Sequence, residues 1–105
     1  MNHTFNVAVA TKIGVNEAIV LAHIDYWIER NYRLGREQHN GKYWMFESVA
    51  AMAEYFPYFT ERQVRYALQS LLNHGLIEKG VFNRVGFDRT SWYTITEKGR
   101  LLLNE

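Results

Sequence analysis

The chain has 105 residues, of which 48% are hydrophobic, 22% charged and 15% aromatic. That is one globular domain's worth of material with enough apolar mass for a single core, and it excludes a disordered polymer. Cysteine is absent, which excludes disulfides, thiolate metal sites and a cysteine nucleophile, and a net charge of only +1 does not by itself announce a nucleic-acid binder.

Residues 7–13 are short and apolar and run into Gly14, which predicts a small helix closed by a left-handed glycine. Asn16 then reads as an N-cap, with Glu17 at the positive end of the helix dipole and Val15 placed to staple onto Val20. Ile19, Val20, Ile24, Trp27 and Ile28 recur at helical spacing, so the helix runs over about 16–31. Residues 32–42 are polar, with Gly35 and Asn40-Gly41, and read as a loop. The aromatic run 43–46 reads as a short strand.

Ser48 caps a helix over 49–55, and Pro57 closes it because the residue before a proline is driven away from helical angles. Thr60 followed by Gln63 is a capping box, and Phe59 can staple onto Val64. The stripe Val64, Ala67, Leu68, Leu71, Leu72 carries that helix to Gly75, where Leu76 can pack back on Leu71. Segments 76–82 and 92–96 read as two strands around a charged hairpin loop, 83–91, and 97–103 reads as a short closing helix. Two helices (48–56 and 60–74) joined by a tight turn and followed by a hairpin are the layout of a winged helix-turn-helix, mainly α with a small β-hairpin, an α+β fold.

In that fold the second helix of the pair enters the major groove. Opposite its buried stripe the 60–74 helix carries Arg62, Tyr66, Gln69 and Asn73, flanked by Gln63, Arg65 and Ser70. Arginine can pair twice with guanine, and glutamine or asparagine twice with adenine. Free amides at the Thr60 end could also hold a phosphate. The hairpin adds Lys79, Arg84 and Arg89 for the backbone or minor groove, while Asp88 caps the turn or pairs with Arg89. Between Thr60 and Ser91 the net charge is only +2, so tight binding calls for a homodimer, a higher oligomer or repeated sites. Phe5, Tyr26, Tyr32, Tyr43, Trp44, Tyr55 and Tyr58 could form a self-association surface or pack the core, the core being favoured for Trp27, Trp44 and Trp92.

Four stretches, residues 12–21 (KIGVNEAIVL), 23–28 (HIDYWI), 56–62 (FPYFTER) and 88–95 (DRTSWYTI), resemble the N-terminal winged-helix domain of phage and prophage replisome organisers, the DnaD-like replication-initiation proteins of Gram-positive bacteria. The resemblance covers about residues 8–95. It implies binding of double-stranded DNA at a phage origin and a part in primosome assembly. Members of that family usually carry a further C-terminal region that binds single-stranded DNA or the helicase loader, so the single domain 1–105 is expected to be either the N-terminal part of a longer replication protein, with a helicase loader as a candidate partner, or a short stand-alone relative. A transcriptional regulator with the same fold and a winged-helix interaction or oligomerisation module remain the alternatives.

Catalysis is not expected. His3, His23, His39 and His74 show no metal-ligand spacing, and His23 beside the apolar stripe reads as a satisfied, partly buried side chain. Asp25 and Glu29 read as a solvated face screened by Arg30 and Arg33, and no phosphate loop or hydrolase serine motif occurs. No cofactor is implied. The longest apolar stretch, 18–22, stops at His23, far short of the roughly 18 residues a membrane helix needs. With no secretory signal at 1–4, a cytoplasmic protein is the expectation.

Overall fold

A computed structural model of the chain describes residues 1–83, Gly86 and residues 90–105. Among these, five helices and five short strands follow in the order α1 (Val7–Lys12), α2 (Val15–Leu34), β1 (Gln38–His39), β2 (Lys42–Tyr43), β3 (Met45–Phe46), α3 (Val49–Tyr55), α4 (Glu61–Asn73), β4 (Ile77–Gly80), β5 (Trp92–Ile95) and α5 (Glu97–Leu103). The protein is thus α+β. A three-stranded antiparallel sheet in the order β3-β5-β4 and a separate β1-β2 hairpin lie beside the helices. Met45 pairs with Tyr93, and Tyr93 in turn with Lys79. The core is shared by all five helices and the larger sheet, with Val9, Leu21, Met52, Phe56, Val64 and Leu71 fully buried in it.

The helices begin and end where short polar side chains satisfy free backbone groups. Asn6, Ser48, Thr60 and Thr96 each accept an amide of the first turn of α1, α3, α4 and α5. At the far end of α4 the Gly75 amide donates to Leu72 O and the Leu76 amide to Leu71 O, both at 3.0 Å, with Gly75 at φ +72°. That is the glycine-closed arrangement the sequence predicts, and it buries Leu76 beside Leu71.

Several expectations need correction. Asn16 does not cap α2: the helix starts at Val15, behind Gly14 at φ +145°, and its first turn closes by the Ala18 amide donating to Gly14 O at 3.0 Å. Gly14 takes the sharp bend between α1 and α2, with ψ near 154° rather than the left-handed helical value, so it is a hinge and not the helical glycine cap of α1. Val15 is exposed and makes no staple. At the other end α2 continues past Asn31 to Leu34, because the Asn31 amide side chain is buried against Trp44 O at 2.7 Å and holds the last turn down. The predicted 32–42 loop contains the β1-β2 hairpin, whose Asn40 and Gly41 both have positive φ, as a two-residue primed turn requires. The 43–46 strand is broken at Trp44, with Tyr43 in one sheet and Met45 in the other. The strands of the last hairpin are shorter than 76–82 and 92–96, and Thr96 leaves the sheet to cap α5.

Gly99 on α5 sits against the sheet so closely that a Cβ there would lie 2.3 Å from Leu76 O and 2.7 Å from Ile95 Cγ2. Helix propensity alone favours Gly99→Ala by about 1 kcal/mol. Backbone overlap should win instead, and a thermal melt is expected to show a loss of about 1–3 kcal/mol. A variant that melts higher than the parent would mean that α5 is not seated on Leu76.

Candidate nucleic-acid interface

Helix α4 has two chemically distinct sides. Val64, Ala67, Leu68 and Leu71 are buried against α2 and α3, whereas Arg62, Arg65, Tyr66, Gln69 and Asn73 are exposed. Tyr66 is 73% exposed, more than any other described aromatic ring. The inner side is tied down by polar contacts as well. Ser70, which sequence spacing puts on the flank of the outer face, turns inward and donates its hydroxyl to Glu17 Oε2 on α2 at 2.9 Å. Glu17 is buried, so its carboxylate is part of the α2–α4 seam as well as the anion at the start of α2.

The capping box removes part of the outer face from ligand chemistry. Thr60 Oγ1 accepts the Gln63 amide at 3.1 Å, and the Thr60 amide donates to Gln63 Oε1 at 2.9 Å. Thr60 and Gln63 therefore set the start of the rod, leaving the Gln63 side-chain amide nitrogen as the group it can offer outward. Glu61 places an acidic side chain in the first turn, beside the positive end of α4. One turn from the far end, Gln69 Nε2 donates to Asn73 Oδ1 at 2.9 Å. Sequence reading treats these two as separate readers; their i,i+4 spacing is the signal for the bond between them.

Charge is distributed unevenly. Lys12 pairs with Glu105 at 2.7 Å, Lys42 with Glu78 at 3.0 Å, Arg33 with Glu29 at 3.4 Å, and Arg100 with Asp25. The Asp25 partner thus comes from α5 rather than from Arg30, which lies 5.3 Å over the Trp27 ring. Lys98 donates to His74 O at 2.8 Å, at the negative end of α4. Arg62 and Arg65 on α4 and Lys79 on β4, together with Arg36 after α2, make no ion pair among the described residues. Lys79 is exposed and pairs with Tyr93, one register from Trp92. Arg84, Asp88 and Arg89 lie outside the described residues.

Strand β5 is held by aromatic packing. Trp92 stacks on Phe46 at 4.5 Å and meets Phe82 and His39 edge-on, while its indole donates to Asn83 Oδ1 at 2.8 Å. Trp44 is buried as well and donates to His39 O at 2.9 Å, so it belongs to the core and not to a self-association surface. Trp27 is only partly buried. Burial pushes the Tyr93 hydroxyl above its ordinary range, outweighing the hydrogen bond from Ser91.

The histidines have structural partners. His23 is buried, with Nε2 2.7 Å from Glu47 Oε1; His74 bonds Ser70 O at 2.8 Å; His39 stacks on Phe82; and His3 stacks on Tyr55 and bonds the Tyr58 hydroxyl. Among the described residues no three His, Asp or Glu side chains converge as a metal site, and no helix is long and apolar enough to cross a membrane. Comparison with family models, with curated proteins and with solved structures finds no match.

Proposed function

We propose that the chain is a winged helix-turn-helix that binds double-stranded DNA, with α3 and α4 as the helix pair, α4 in the major groove and the β4-β5 pair as the wing. The observation that carries this reading is the state of α4: Arg62, Arg65, Tyr66 and Gln69 stand exposed on a doubly capped rod, and its two arginines make no ion pair among the described residues, whereas Lys12, Arg33, Lys42 and Arg100 each hold one. Lys79 on β4 extends the same unpaired charge toward the wing. The resemblance to DnaD-like replisome organisers supports a role in phage-type replication initiation or primosome assembly, acting in the cytoplasm.

Fluorescence anisotropy with a labelled 30-base-pair duplex tests the binding. About four phosphate contacts should give a log–log salt slope of about −3 to −4. Arg62→Ala and Arg65→Ala should each weaken binding by about 1–3 kcal/mol while leaving the thermal melt unchanged. If both variants bind as tightly as the parent, α4 is not the groove element. Origin-derived against promoter-derived duplexes then separate replication from a transcriptional role.

A second reading, an interaction or oligomerisation module, is favoured by one feature. A groove of about 770 Å³ opens between the N-terminus and α3, lined by Met1, His3, Ile19, Tyr55, Pro57 and Tyr58. Light scattering tests it: a stable oligomer that binds no duplex would replace the DNA reading.

A further inference from the structure

Gln69 and Asn73 sit one helical turn apart on the exposed face of α4, and Gln69 Nε2 donates to Asn73 Oδ1 at 2.9 Å. A primary amide has two N–H hydrogens and one carbonyl oxygen. A free glutamine can therefore turn either its oxygen and one hydrogen, or its two hydrogens, toward a base edge. The bond to Asn73 holds one hydrogen. What remains on Gln69 is a single donor and the acceptor Oε1.

The four bases differ in the major groove. Adenine alone offers a donor (N6) beside an acceptor (N7) without a methyl group in the way; guanine offers two acceptors, cytosine one donor, and thymine an acceptor beside a methyl. The held amide matches adenine at both atoms. It cannot give two hydrogens to guanine without breaking the bond to Asn73. We propose that Gln69, locked by Asn73, reads a single adenine in the major groove, with Asn73 acting as the positioning residue that excludes guanine. This rests on the groove reading of α4 and adds to it one base identity and the mechanism of its selection. The bond to Asn73 restrains glutamine's flexible stem, so recognition would lose less side-chain entropy than with an unrestrained glutamine.

Selection from a randomised duplex pool, followed by sequencing, tests the proposal on the parent chain and on Gln69→Ala, Gln69→Glu and Asn73→Ala. Both sites are on the exposed face, and matching thermal melts will show that the variants fold. The parent should enrich adenine over guanine at one position by about 5-fold to 150-fold. Gln69→Ala should erase that preference and leave the other positions intact. Gln69→Glu, which presents only acceptors, should move it to cytosine. Asn73→Ala should let guanine rise to rough parity with adenine, because the second hydrogen is released; a merely structural role for Asn73 would not change the ratio of two bases at one position. A parent pool with no adenine that depends on Gln69 overturns the proposal while duplex binding stands. An adenine-to-guanine ratio unmoved by Asn73→Ala overturns the positioning role. A parent that retains no duplex at all removes the groove reading and this proposal together.

Discussion

Phe56→Ala is expected to lower the stability of the domain by about 3–5 kcal/mol, at the upper end for a single core truncation. Phe56 is 1% exposed at the end of α3, and its ring meets those of His3, His23, Tyr55, Tyr58 and Phe59. Removing it vacates the point where the N-terminal segment, α2 and the α3–α4 turn converge. The rings around it are large and rigid, so they can close the space only in part, and the cavity cost adds to the lost transfer energy. Against a total stability of about 5–15 kcal/mol, such a loss is a large fraction. The melting temperature should fall by roughly 15 °C for a domain of this size. A fall of only a few degrees would show that α3 ends elsewhere and that Phe56 is not the keystone of the turn.

Leu68→Ala is expected to cost about 2–5 kcal/mol, by the same mechanism on the seam of α4 with α2 and α3. Leu68 is 3% exposed and lies between Val64 and Leu71 on the buried stripe. The contrast with the opposite face gives the measurement its force. Leu68→Ala should collapse the melt, and Arg62→Ala, on the exposed outer face of the same helix, should leave it where it was. Urea unfolding of both variants reads this directly, since an equal denaturant slope with a lower midpoint marks a change in stability alone. A melt unmoved by Leu68→Ala would invert α4 and turn its polar residues into the buried side.

The parts of the fold legible in the sequence are those coded by neighbours three or four residues apart. Thr60 with Gln63, the Val64–Leu71 stripe and Gly75 with Leu76 define α4 to within a residue, because capping and amphipathicity are local. The β1-β2 hairpin left a weaker trace. Its Asn40-Gly41 turn is visible, but strands of two residues are too short for an alternation to register. The sequence points to Asn16 as the start of α2 because asparagine has the right chemistry for a cap, but the bend that a cap must occupy falls at Gly14, which tolerates φ +145°.

The candidate site divides along the same line. By itself the sequence determined which side of α4 is apolar and which side carries Arg62, Tyr66, Gln69 and Asn73, since a helix of known register has fixed faces. Only the tertiary structure decided that the outer side stays uncovered, that Ser70 turns away to Glu17, that Asp25 goes to Arg100 and His23 to Glu47, and that β5 lies between β3 and β4. The three side-chain contacts join residues 24 to 75 positions apart. Spacing along the chain cannot encode them, because they form where burial of apolar area brings distant elements together and the polar groups then take whichever partners that packing presents.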